Sequence, residues 1–432
     1  MLLRRTYLLT AWPRPTAPPK FVVSFNMLSF LNIRNIVGAL DFNKSGFEPT
    51  RTKKGARVTT LKTGVCLGCL AWMISVPTYA ARYSIEVLPD PITEAFGINA
   101  RGDIVGDTFV FEHRTHTVTT LSCSGTGCSV LGATAINDLG VIAGTVVDPN
   151  VGPEAAIWKS ASDLPTLLSP GLQTEAAAIS DFGDVAGNSN NGHEDNAADL
   201  WTAPSYPEVP LGTLVTCQFC VFDPSGTATA VNNRRRVVGY ADFATATASN
   251  PYVATASGVH AFMWSDGHMT DLATTSSEPS INFDFASSVN DLDEVVGSFS
   301  AADGVTTALL DRNGVIKSLG SLDNQPTSNS QANSINDHGE IVGWSDLHPA
   351  AGQPTVPRAF VYRRGRMSNL MSELDTNDAT AKTAVLTNAA AINCDGWIVA
   401  NGFDSVTGAN HAYLLKPQDQ ERRLECVLLR LL

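Results

Sequence analysis

Charge is scarce here: Asp, Glu, Lys and Arg make up 16% of 432 residues. Basic residues are scarcer still beyond residue 80, where 18 Lys and Arg face 40 Asp and Glu, a net of −22. A surface of that sign repels phosphate backbones and anionic lipid, which excludes a nucleic-acid binder. Apolar residues at 44% are too many for a disordered acidic tail. Sustained helical periodicity is missing outside residues 64–76, save a turn or two around Leu370–Leu374. That excludes helical bundles and α/β folds and leaves strands.

The first eighty residues have the opposite balance, 11 basic residues against Asp41 and Glu48. Within them Lys53, Lys54, Arg57 and Lys62 precede an uncharged run of 13, Gly64–Val76, and then Pro77-Thr78-Tyr79-Ala80. Thirteen residues fall short of the roughly 20 that span a bilayer, but they suit the apolar region of a secretory signal. Thr78 and Ala80 provide the small residues of a cleavage site. Residues 53–80 therefore read as a signal peptide, with a secreted or periplasmic mature chain starting near Ala81 and carrying no transmembrane segment. Residues 1–52 read as an extension that is unstructured or lies upstream of the true translation start, and 417–432 as a short tail.

What the remainder has in abundance is repetition. Ile98-Asn99-Ala100-Arg101-Gly102-Asp103-Ile104-Val105-Gly106 is the first of seven copies of Ile-Asn-x-x-Gly-x-Ile-Val-Gly. The others are anchored at Asn137, Ser180, Asn232, Asn290, Asn336 and Asn393, with a mean spacing near 49 residues. Each copy reads as a β-hairpin. The aliphatic residues favour strands, the Asn or Ser oxygen accepts from a backbone N–H two residues on, and the turn Gly supplies a left-handed backbone. The closing glycine leaves room for a neighbouring backbone. Arg235 and Asp293 stand where copies four and five should carry the turn Gly, and Arg235 suggests a modified turn. A second short strand follows most hairpins (Ala156-Ile157-Trp158, His260-Ala261-Phe262-Met263-Trp264). A third often comes after a Gly turn (Gly267–Leu272, Gly314–Leu319, Gly365–Leu370).

Three to four short strands, a period near 50 and seven copies predict an all-β fold, a seven-bladed β-propeller over residues 81–416. Tyr83–Leu88 has the look of a third strand without a hairpin before it, whereas the last copy stops at His411–Leu415 without one. The N-terminal strand is therefore expected to complete the last blade and remove the open edge.

These residues resemble the bacterial HAF-repeat family of extracellular proteins, in which such a hairpin precedes a His-Ala-Phe strand, here His260-Ala261-Phe262 and its echo His411-Ala412-Tyr413. The resemblance covers roughly residues 83–416. It implies export and a propeller-like repeat, and it brings no activity and no site residue with it.

Candidate sites are few. Cys123 and Cys128 flank a four-residue loop and Cys217 and Cys220 form a Cys-x-x-Cys; local disulfides are the expectation in an oxidising compartment. His260 and His411 recur at one repeat position, which points to a structural hydrogen bond. Acidic tips such as Asp291, Asp293 and Glu294, or Asp337 and Glu340, invite calcium but offer fewer oxygens than the six to eight it wants. No nucleophile elbow or phosphate loop is present, and neither catalytic nor cofactor residues are assigned. The expected function is that of an exported non-catalytic repeat protein, a binding or scaffold module at the cell surface or in the periplasm. Its partner would be a carbohydrate, peptide or protein. The alternatives are a propeller hydrolase or lyase with a central-channel site, and a calcium-dependent adhesion module. Acids, His or Arg converging within hydrogen-bond reach in the channel would favour the enzyme, and a lining of small and apolar residues the binding module.

Overall fold

The computed structural model describes residues 83–190, 197–215, 225–245, 256–274, 282–348 and 353–418. The signal-peptide region, the N-terminal extension, Cys217, Cys220 and the tail beyond residue 418 lie outside the described residues. Every copy of the repeat forms the hairpin that its residues dictate. In blade 6, Ser330–Ile335 runs into the Asn336 tip and returns as Ile341–Leu347; Val356–Arg363 and Arg366–Asn369 then follow as antiparallel neighbours. Seven such four-stranded sheets make a seven-bladed β-propeller.

The closing glycine has a clear steric role. In blade 6 it pairs with Ala332 beside a register shift in the innermost strand, and a Cβ on Gly343 would lie 2.0 Å from the Gln331 carbonyl oxygen. Blades 2 to 5 repeat this Ala–Gly pairing at Gly144, Gly187, Gly239 and Gly297. Blade 7 departs from it: Ala400 takes the position, and a second register shift brings Gly402 under the Val385 carbonyl instead.

Closure is as expected. Tyr83–Val87 pairs antiparallel with Asn410–Pro417, making the outer strand of the blade that otherwise consists of Ala384–Ile392, Ile398–Asp404 and Asn410–Pro417. Tyr83 and Ile85 of this strand are buried in the cluster between blades 6 and 7. The core is distributed likewise, with seven apolar clusters among the described residues, one at each border between adjacent blades. Around Leu370–Leu374 the local helical signal is a short 3-10 turn, Leu370–Glu373, capped by the Asn369 side chain.

Candidate functional site

The hairpin tips converge on one end of the central channel. Ile98, Ile136, Ile179, Val231, Val289, Ile335 and Ile392, one from each blade, line a cavity of about 230 Å³ together with the residues that follow them. The next position is Asn99, Asn137, Ser180, Asn232, Asn290, Asn336 or Asn393, each buried. The Asn oxygen accepts from its own tip. Asn336 Oδ1, for example, receives the N–H groups of His338 (3.1 Å) and Glu340 (3.0 Å).

Its amide does something a single repeat cannot reveal. Asn99 Nδ2 donates to the Asn137 carbonyl and Asn137 Nδ2 to that of Ser180 (3.1 and 3.0 Å). Asn232, Asn290 and Asn336 donate to the carbonyls of Asn290, Asn336 and Asn393 (2.8, 3.1 and 3.1 Å). Asn393 donates to Asn99 (2.9 Å), across 294 residues of chain. Six side-chain amides thus stitch six of the seven borders between adjacent blades. Ser180 has no amide to give, so the stitch from blade 3 to blade 4 is missing from this belt.

A second belt uses the following residue. The N–H groups of Ala100, Asp138, Asp181, Asn233 and Asp291 donate to the Oδ1 atoms of Asp138, Asp181, Asn233, Asp291 and Asp337 respectively, at 2.6 to 2.9 Å. Asn233 Nδ2 also donates to Asp181 and Asp291 on either side. Among the described residues the channel rim therefore carries four carboxylates, of Asp138, Asp181, Asp291 and Asp337, and neither Lys nor Arg lines the cavity. Four carboxylates line one cavity here, but one oxygen of each is committed to a neighbouring backbone.

The tip of blade 4 keeps the ordinary turn instead of a modified one. Arg235 itself takes the left-handed backbone (φ 57°), and its N–H donates to the Asn232 carbonyl as in the other tips. The reason lies in its side chain: Arg235 Nε donates to buried Asp184 of blade 3 at 2.7 Å. Hydrogen bonding to Asp184, then its charge, pushes the Arg235 guanidinium above its usual range.

The other acidic tips are committed as well. Asp293 accepts from Asn232 Nδ2, while Glu294 accepts from Asn290 Nδ2 and pairs with Arg312 at 2.6 Å. His260 makes a hydrogen bond with Asp271 (2.9 Å) and stacks on Phe243, whereas His411 meets the edge of Tyr413. Cys123 and Cys128 form a disulfide with Cα atoms 6.1 Å apart. A second cavity of about 420 Å³ lies between blades 5 and 6, with Leu310, Val315 and Tyr362 as walls and Arg312, Lys317 and Arg364 at its rim.

No curated protein matches the chain. Among solved structures it is similar to TolB from Acinetobacter baumannii, with 11% identity and a TM-score of 0.37 over 64% of this chain and 64% of that one. Similarity to a prolyl endopeptidase (11%, TM-score 0.42) covers 65% of this chain and 41% of that one. Trypanosoma rangeli sialidase gives 12% and 0.35 over 77% and 62%. The chain thus spans less than two thirds of the length of each. Among the described residues, no helix is long and apolar enough to cross a membrane. A family model described as a protein of unknown function, DUF3466, matches residues 172–416, blades 3 to 7 and more than half of the sequence, and the chain belongs to that family.

Proposed function

We propose that this is an exported, non-catalytic binding module of the cell surface or periplasm, which takes a positively charged peptide or protein segment at the acidic end of its central channel. The observation that carries the reading is the rim: among the described residues, four carboxylates line a cavity of about 230 Å³ and no Lys or Arg does. Low-dielectric walls around charges of one sign focus the field and attract the opposite charge. The polar groups that an enzyme would need there are instead held by backbone. Each Asn oxygen serves its own turn, and each rim carboxylate serves the neighbouring N–H. The Cys123–Cys128 disulfide supports export, since such bonds persist in oxidising compartments.

A peptide and glycan array, read with and without calcium, tests this. Lys- and Arg-rich peptides should bind in both conditions, and weaken as salt is raised. The double variant Asp138→Asn and Asp337→Asn should lower their affinity at least tenfold. Asn keeps the Oδ1 acceptor, as natural Asn233 does in blade 4, so the belt should survive the exchange. Binding confined to neutral glycans, strict calcium dependence, or turnover of a bound ligand would each replace this reading with one of the others.

A further inference from the structure

A different set of chemistry-bearing side chains sits where the ring closes. Glu86 belongs to the closing strand Tyr83–Val87, while His113 and His116 lie on the blade 1 turn between Phe109–Glu112 and Thr117–Thr120. One carboxylate oxygen and one nitrogen from each ring all lie within 4.8 Å of one another. His116 Nε2 stands 3.4 Å from Glu86 Oε1. His113 Nδ1 is buried and has no hydrogen-bond partner among the described residues. His116 holds a left-handed backbone, φ 54°, at the hairpin tip, a conformation uncommon outside glycine.

Two imidazoles and a carboxylate are the donors that divalent transition metals select, zinc foremost. We propose that Glu86, His113 and His116 form a three-ligand site for a divalent transition cation such as Zn²⁺, bridging blade 7 and blade 1. Metal–ligand bonds of roughly 2.0–2.2 Å put tetrahedral ligands about 3.4 Å apart, so separations now within 4.8 Å close by up to about 1.4 Å on binding. The movement falls on parts able to make it: the His116 side chain is 63% exposed, and Glu86 is long and one-third exposed.

The surroundings fit a ligand set held from behind. Lys416 Nζ donates to Glu86 Oε2 at 2.7 Å, which leaves Oε1 toward the imidazoles. Lys416 also lies over the Trp397 ring (5.2 Å), and the edge of that ring meets His113 (4.9 Å). Such outer contacts fix the orientation of metal ligands. Three protein ligands leave a fourth position for water or a ligand atom. Because Glu86 arrives from the closing strand and the two His from the next blade, the cation would couple metal supply to ring closure.

The test uses the full chain, stripped of metal with chelator and titrated with ZnCl₂ by calorimetry. One equivalent should bind with a micromolar or tighter Kd, raise Tm by several degrees, and give the visible absorption of a tetrahedral site when Co²⁺ is substituted. His116→Asn removes the imidazole and keeps a residue that tolerates the left-handed backbone, so its metal-free Tm should match the parent while affinity falls at least tenfold. His113→Asn and Glu86→Gln should weaken binding comparably. Absence of saturable binding would overturn the proposal, and so would binding that His116→Asn and His113→Asn leave unchanged.

Discussion

At the scale of single residues, the belt of tips contains one irregularity and, beside it, what compensates for it. Ser180 gives blade 3 no amide with which to reach blade 4. At the same border Arg235 replaces a turn glycine and reaches back to Asp184, whose side chain is 1% exposed. The two departures from the repeat make sense only together. Arg235→Gly relieves a left-handed backbone worth up to about 1 kcal/mol but leaves a buried carboxylate without its cation, which costs about 1–3 kcal/mol. The net expectation is a loss of about 1 kcal/mol in urea unfolding, and Ser180→Asn should recover part of it by restoring the stitch. Additive effects in that double-mutant cycle would separate the two residues. A second residue sets a pH dependence. Asp199 is fully buried, and burial raises its carboxyl to about 7, with the Ser189 hydroxyl opposing and Glu208 reinforcing. The folded chain then keeps a proton that the unfolded chain releases near 4. Stability from this group is complete below that pH and is lost as pH rises to about 7, at up to about 1.4 kcal/mol per unit. Asp199→Asn should flatten that part of the profile and be the more stable chain at pH 8, as thermal unfolding across pH would show.

Among elements, the hairpins were legible because each is specified within nine residues: a strand-forming aliphatic, a side-chain acceptor, a turn and a glycine. The Gly-turned outer strands of blades 4 to 6 were legible for the same reason. Those of blades 1 to 3 were not. Thr117–Thr120, Thr166–Leu167 and Glu208–Pro210 are two to four residues long, partnered on one side only, and entered without a Gly turn. Nor could one copy of the repeat show where the Asn amide goes, because its acceptor lies 38 to 58 residues away in the next copy, and 294 away where the ring closes. The same limit hid the Arg235–Asp184 pair and the cluster at the seam. The closing strand is the element with most at stake. Deleting Tyr83–Val87 removes two buried side chains, Tyr83 and Ile85, worth roughly 1.5–3 kcal/mol each, and bares an edge of blade 7. Thermal unfolding should show a loss above about 3 kcal/mol, and light scattering should show self-association. An unchanged Tm would mean that the ring does not need this strand.

For the whole molecule, the uneven charge and the seven-fold repeat were visible at once, while the meaning of the acidic residues was not. Asp138, Asp181, Asp291 and Asp337 look like ordinary turn residues in their own copies, and only the circular arrangement brings them to one rim. The circle also governs time. Ser84 and Lys416 meet across 332 residues, and Asn393 finds Asn99 across 294. Six blades can assemble in chain order from nearby contacts, but the seventh waits for both ends, and closing a loop of that length costs about 5 kcal/mol of chain entropy before any contact repays it. Refolding should therefore finish with the seventh blade. A chain threaded across a membrane could not complete its ring until its last strand had emerged.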